Sequence, residues 1–385
     1  MAVYKIFPEK SATLYSYYPV LNSGIDEILD FSTYYTIEGT NEISRPIIKF
    51  PTEEILDVVT NKVNGANYDA YLRLSLANAS QLPLDYTIHC HPLAVDWNVG
   101  IGRLGDSPSI TDGVSWAFTT ELSGSTWFDT IISGTTGSYS INVGGGLWYT
   151  SSLYEATQSF TRISSKDIEL KVTNTVGAWT GGTLSSYIDS GYINDGYFIS
   201  GVSRSAIANY GFILKHDEVL EFTTASKFET KYFSGNTHTI YPPCLEVRWD
   251  DWSYNTGSLS VTTSPNIVAT LANNQSEYQQ DSVQRFRVNI RDRYPARAFT
   301  ATSVYLNNKA LPTASYYSIK DLDTEEIVVD YDTIYTKVSC DSTGMYFDVY
   351  MNGLEPERYY KILIKTTIDG STLVLDDNYF FKVVR

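Results

Sequence analysis

The densest set of potential ligands in this chain is His89-Cys90-His91. Successive side chains of a strand alternate faces, so His89 and His91 would share one side and Cys90 would point to the other. Two imidazoles so placed could hold a metal if another segment or another chain completed the set. A structural zinc site wants four ligands, and the sequence has no Cys-x-x-Cys pair to supply the rest. The alternative is a strand with polar residues on one face and Cys90 in the core, and the expectation is no resident metal or cofactor. Two acidic runs, Asp321-Leu-Asp-Thr-Glu-Glu326 and Asp189-Ser-Gly-Tyr-Ile-Asn-Asp-Gly196, lack the glycine and glutamate spacing of a calcium loop and read as solvated turns.

Catalytic signatures are scarce. There is no Gly-x-Ser-x-Gly elbow, no His-Glu-x-x-His and no phosphate-cradling loop; Gly144-Gly145-Gly146 lacks a following Lys-Ser/Thr and reads as a flexible turn. A carboxylate pair for glycoside hydrolysis could be drawn from 44 acidic residues, yet nothing singles one out. The expectation is a protein that is not an enzyme.

Binding chemistry is easier to place. Arg285, Arg287 and Arg291 fall on one face of an alternating stretch, with Arg293 and Arg297 close behind. In a chain of net charge -16 this basic stripe reads as a docking surface for an acidic partner, because guanidinium pairs bidentately with carboxylates. Cross-strand pairing with carboxylates such as Asp330 or Asp332 is the alternative. Trp127, Trp148 and Tyr149 lie among glycines and could stack on sugar rings or anchor a neighbouring protein; packing against their own domain is the competing reading. Trp97 and Trp179 are assigned to the core.

The elements that must carry these residues are strands. Tyrosine is abundant, 31 residues in 385, and aromatic and β-branched residues favour a pleated, half-buried surface. Tyr71–Leu76, Ile168–Val172, Leu245–Trp249 and Ser282–Arg291 alternate apolar and polar residues, placing Leu72, Leu74 and Leu76 on one face, and Phe286, Val288 and Ile290 inward. Two helices are expected, one over 53–63 capped by Thr52, with Glu53 and Glu54 favoured by the helix dipole, and one over 173–179. The acidic balance excludes the basic footprint of nucleic-acid binding. No run of about 18 apolar residues could span a bilayer. The three cysteines fit folding in a reducing cytoplasm, and the N-terminal residues do not read as an export leader, so none is expected.

Tryptophan stops at Trp252, and the texture shifts to Ser253-Tyr-Asn-Thr-Gly-Ser. The chain therefore reads as all-β in two domains: an N-terminal jelly-roll or β-sandwich over 1–254, with a loop-rich insertion at about 100–160, and a C-terminal immunoglobulin-like β-sandwich over 255–385.

Several phrases carry a resemblance. Ala12-Thr-Leu-Tyr, Asn22-Ser-Gly-Ile-Asp, Arg45-Pro-Ile-Ile-Lys-Phe50, Ala70-Tyr-Leu-Arg-Leu, Thr87-Ile-His-Cys-His-Pro-Leu, Val172-Thr-Asn-Thr-Val-Gly-Ala-Trp179 and Asn209-Tyr-Gly-Phe-Ile-Leu-Lys215 follow one another in the order of a DNRLRE jelly-roll module, which the first 250 or so residues resemble. Over nearly its whole length the chain is similar to virion structural proteins of marine T4-like phages, the cyanophage type. That likeness rests on Val3-Tyr-Lys-Ile-Phe-Pro, Phe286-Arg-Val-Asn-Ile-Arg-Asp-Arg-Tyr-Pro295, Ser315-Tyr-Tyr-Ser-Ile-Lys-Asp-Leu-Asp323 and Asn352-Gly-Leu-Glu-Pro-Glu-Arg-Tyr-Tyr360. It implies a particle component made in the host cytoplasm whose partners are other virion proteins, but no position in the particle; the expectation for this chain is a neck-, tail- or baseplate-associated protein that acts by docking. A carbohydrate- or receptor-binding module of a fibre, with a host surface glycan as partner, is the alternative, and a polysaccharide hydrolase comes third.

Overall fold

The computed structural model describes residues 2–36, 39–122, 124–127, 144–149, 152–181, 189–193, 197–202, 207–221, 227–272, 274–294 and 308–385. The protein is all-β, and the sequence-expected strands form. Phe286, Val288 and Ile290 point inward from Val283–Asp292, while Arg285, Arg287 and Arg291 point outward, as period-two alternation requires. Leu72 and Leu74 are buried in Tyr68–Leu74, but that strand ends before Leu76, which opens Leu76–Ser80 in the other sheet. The Leu76 side chain therefore answers to a different face from its two predecessors.

By their internal contacts the residues form two compact units, Ile6–Lys62 with Asp69–Glu246, and Met1–Lys5 with Val63–Tyr68 and Val247–Arg385. In the first, a large sheet runs Leu76–Ser80, Phe228–Phe233, Ile28–Tyr35, Asn41–Lys49, Phe212–His216, Tyr86–Pro92, Ala156–Phe160, and Lys10–Tyr15 also pairs with Asn41–Lys49. A smaller sheet contains the antiparallel pair Tyr68–Leu74 and Ile168–Lys171. Phe31, Ile47, Ile88, Cys90 and Leu214 are buried in this unit. Burial of this apolar surface is the main stabilising term, at roughly 25 cal/mol per Å².

The helix at Thr52–Asp57 continues into a π-helical turn over Val58–Val63. Glu53 and Glu54 occupy its first turn, as the dipole favours. Thr52 does not cap it: the cap position is Pro51, without a side-chain bond, and the Thr52 hydroxyl accepts from Asn209 Nδ2 at 3.1 Å. A tertiary donor has taken the group that local capping would use. The second helix, Thr173–Trp179, buries Val176 and Trp179, whose ring lies 4.7 Å from Phe212.

The long connection from residue 93 is tied to one side chain. Asn22, fully buried, donates from Nδ2 to the carbonyls of Val99 and Val114, both at 2.8 Å, and accepts at Oδ1 from Gly102 N at 2.7 Å and Gly24 N at 3.2 Å. All four bonds an amide can make are filled. At Gly100, with φ +75°, a Cβ would stand 2.4 Å from Asn22 Oδ1, so only glycine lets the backbone come this close.

In the second unit, Ile267–Ala272, Val283–Asp292, Gly344–Tyr350 and Ser339–Asp341 form one sheet. The other runs Glu277–Gln279, Phe380–Val384, Tyr359–Ile368, Ser315–Asp321, Ile327–Val329, with Glu277–Gln279 parallel to Phe380–Val384. This is the strand order of an immunoglobulin-type sandwich whose first strand is divided between the two sheets. Phe286, Phe347, Tyr317 and Phe381 fill its core, Tyr317 stacking on Phe347 at 4.4 Å. At the start of Tyr359–Ile368, the buried Tyr360 donates its hydroxyl to Glu355 O at 3.0 Å, the tyrosine-corner contact of such sandwiches.

Trp179→Ala should lower the unfolding free energy by about 3–5 kcal/mol, since the cavity beside Phe212 cannot fully collapse. Urea unfolding followed by far-UV circular dichroism measures this, and an unchanged midpoint would contradict the placement.

Candidate functional site

Three sets of polar residues are candidates, the first and third placed by strand alternation and register and the second by partners from separate segments. The first is a tyrosine-lined cleft. Along Ile28–Tyr35 the side chains of Leu29, Phe31 and Thr33 enter the core, so Asp30, Ser32 and Tyr34 face away from it. Across the neighbouring strands Lys231 pairs in register with Asp30, Glu229 with Ser32, and Glu42 with Tyr34. These residues line a cleft of about 250 Å³ together with Tyr15, Tyr17, Tyr18, Ile43, Ser44 and Leu104. Tyr17 and Tyr18 are 59% and 47% exposed and meet edge to face at 4.7 Å, so their rings are open to a ligand.

Tyr15 donates to Asp30 Oδ2 at 3.0 Å, and burial followed by the Asp30 charge pushes its phenol well above the usual range. Lys231 Nζ lies 3.5 Å from Asp30 and 3.2 Å from Glu229. The Asp30 charge first of all holds that ammonium in its protonated form. Ser80 donates to Glu229 at 2.5 Å, and this bond leads in holding that carboxyl below its ordinary value. With three carboxylates, Asp30, Glu42 and Glu229, against one ammonium, Lys231, the cleft favours a cation. Sequence reasoning missed it. The alternation of Ile28–Tyr35 and the tyrosines at 15, 17 and 18 were visible signals, but nothing local announces Glu229 and Lys231.

The second set is a buried charge. The Arg45 guanidinium is fully buried and pairs with Glu221, itself 1% exposed, through Nε–Oε1 at 3.0 Å and Nη2–Oε2 at 2.5 Å. Its Nη1 donates to Gly145 O at 3.0 Å, and Trp116 and Trp148 lie 5.1 and 5.3 Å from Cζ. Gly144-Gly145-Gly146 is accordingly no loose turn. A Cβ on Gly144 would fall 1.9 Å from Trp116 O, and one on Gly145 within 2.8 Å of Arg45 Nη1. Trp127, Trp148 and Tyr149 are all buried, so the expectation of exposed sugar-stacking aromatics is corrected. Trp127 donates to Ser115 O at 3.1 Å, and Trp148 covers Arg45 and the buried Lys215, whose Nζ is 5.4 Å from the ring. The ring faces add cation–π attraction to the two buried cations.

The third set is histidine. His89 and His91 share a face of Tyr86–Pro92, as alternation requires, and Cys90 is buried on the other. Glu155, just before Ala156–Phe160, joins them: its Oε1 is 2.6 Å from His89 Nδ1 and 3.8 Å from His91 Nε2. Burial, with Lys215 next, pushes His91 down to about 3. His216, on the opposite face from Lys215, is fully buried and stacks on Phe31 at 4.0 Å, and burial holds it well below the usual imidazole range.

The arginine stripe is engaged within its own sheet. Arg285 holds Asp348, its register partner, through two bonds of 2.8 Å, and Arg287 holds Asp341 at 3.1 and 2.8 Å. Both guanidinium groups lie over Tyr346, at 4.3 and 5.5 Å. Arg287 leads in keeping the Asp341 carboxyl below its ordinary value. The carboxylates are not Asp330 or Asp332, because Val283–Asp292 pairs with Gly344–Tyr350 rather than with their segment. Arg291 and Arg293 are exposed, and Arg297 lies outside the described residues. Asp321 accepts from Asp323 N and Thr324 N, both at 2.9 Å, and pairs with Arg358 at 2.6 Å, which makes it a turn. The Asp189–Gly196 run extends into 194–196, outside the described residues.

Comparison with known proteins finds no family model, no curated protein and no solved structure that matches the chain.

Two outcomes follow from the buried groups. Glu221→Ala should cost about 3–5 kcal/mol by stranding Arg45, and Arg45→Met with Glu221→Leu should recover more than half of it. Chemical denaturation of both variants measures the difference. For His216, the unfolded ring titrates near about 6.5 and takes up a proton that the folded state refuses. The stability from burying it neutral is therefore complete above that pH and is lost as pH falls. Between pH 7 and 5.5 it should contribute about 1 kcal/mol of that loss, and His216→Phe should flatten the profile accordingly. A profile as steep as that of the unaltered protein would contradict a neutral ring.

Proposed function

We propose that this chain is a non-enzymatic structural protein of a tailed-phage particle, belonging to the neck, tail or baseplate, and that it works by docking other virion proteins. The observation that carries the reading is the tyrosine-lined cleft with its excess of carboxylates. Two exposed tyrosine rings beside Asp30, Glu42 and Glu229 form a receptor for a lysine or arginine side chain of a neighbouring protein. Cation–π contact and charge-assisted hydrogen bonds both favour that ligand. Tyrosine also carries much contact area at low conformational cost, which suits interfaces. The resemblance of the chain to virion proteins of marine T4-like phages supports the same reading. The net charge of -16 disfavours contact with DNA in the particle.

A second reading has its own observation. Exposed tyrosines flanked by carboxylate and hydroxyl acceptors, here Tyr17 and Tyr18 with Asp30 and Ser32, also make a sugar subsite, so a glycan-binding module of a fibre is the alternative.

Tyr17→Ala with Tyr18→Ala separates the two. Both rings are exposed, so the variant should keep its melting temperature. Supplied in place of the natural protein, it should fall about tenfold or more in abundance in purified particles. Normal incorporation would rule out docking through the cleft, and saturable glycan binding lost in this variant would establish the second reading instead.

A further inference from the structure

We propose that His89, His91 and Glu155 form a binding site for a divalent transition metal, zinc(II) being the ion their chemistry suits best. The sequence offers two donors only, and the fold adds the third. Tyr86–Pro92 pairs antiparallel with Ala156–Phe160, with Cys90 opposite Ala156, and this brings Glu155 to the row occupied by His91. One ligand atom from each residue lies within 4.8 Å of the others. Around a tetrahedral zinc with bonds of about 2.1 Å, ligand atoms stand about 3.4 Å apart. Glu155 Oε1 and His91 Nε2, at 3.8 Å, are already near that spacing, and the 2.6 Å contact to His89 would open by less than an ångström or so. In the metal-free protein that short contact is a histidine–carboxylate hydrogen bond occupying the place of the ion.

Two imidazoles and one carboxylate select zinc over magnesium or calcium, which prefer oxygen ligands throughout. Three protein ligands leave a fourth position for water or for a donor from another molecule. The side chains of His89 and Glu155 are 22% and 28% exposed, so an ion can reach them, while His91, at 7%, anchors the site on the buried side. Lys215 stands opposite His89 in the sheet, but its ammonium lies against the Trp148 ring. The nearby Arg45 charge is neutralised by Glu221.

The test is calorimetric titration of zinc chloride into tag-free, chelator-treated protein, with bound metal counted by mass spectrometry. One zinc per chain is expected, with a rise in melting temperature and, on cobalt(II) substitution, the intense visible absorption of a tetrahedral centre. His89→Gln and Glu155→Gln should each weaken zinc at least tenfold while leaving the metal-free melting temperature close to that of the unaltered protein. His238→Ala, which alters an exposed histidine 3.8 Å from Glu27, should change nothing. Absence of saturable zinc binding, retention of full affinity in both ligand variants, or loss of binding in His238→Ala would each overturn the proposal.

Discussion

A fully buried guanidinium constrains the first unit of this protein. Arg45 sits in the strand Asn41–Lys49 with no access to water, and an uncompensated charge there would cost several kcal/mol. Its compensation comes from Glu221, from the carbonyl of Gly145 and from the faces of Trp116 and Trp148. Those partners are spread along the chain, so satisfying one side chain fixes the paths of three segments. The glycines at 144 and 145 follow from it, because any larger residue would collide with Trp116 or with Arg45 itself. Asn22 plays a neutral version of the same part, fastening the segments around Gly24, Val99, Gly102 and Val114 through one amide.

Polar rows on sheet faces meet different fates in the two units. On Val283–Asp292 Arg285 holds its register partner Asp348 and Arg287 reaches Asp341 one strand further on, and these pairs, each worth under about 1 kcal/mol, lie over Tyr346. On Ile28–Tyr35 the outward residues meet Glu229, Lys231 and Glu42; Asp30 and Glu229 share the one ammonium, and Glu42 adds a third carboxylate to the lining. The first arrangement is closed on itself. The second leaves negative charge and two exposed aromatic rings beside a hollow, which is why the cleft, rather than the arginine stripe, carries the functional reading.

The histidine pair belongs with these rows. His89 and His91 are placed by alternation alone, but a metal needs a third donor, and that donor depends on which strand lies alongside. Ala156–Phe160 reaches that position after the long connection tied down by Asn22, Arg45 and the tryptophans. Candidate metal chemistry therefore rests on the same buried network as the fold.

Local patterning is enough for the all-β class, the strands at 168–171, 244–249 and 283–292, and which of their residues face inward. Period-two alternation is local, and a register that buries the wrong face is no competitor in energy to the correct one. It also determined that Cys90 and Trp179 belong to the core. Burial of Trp127, Trp148 and Tyr149 emerges with the tertiary structure alone, because glycine-rich surroundings look alike whether a segment is loose or packed against a charge. Only it decided that Thr52 yields its hydroxyl to Asn209, that Arg285 pairs with Asp348, and that Glu155 and Glu229 complete their clusters. These choices depend on residues tens to hundreds of positions apart, and register between distant strands leaves no mark on either strand alone.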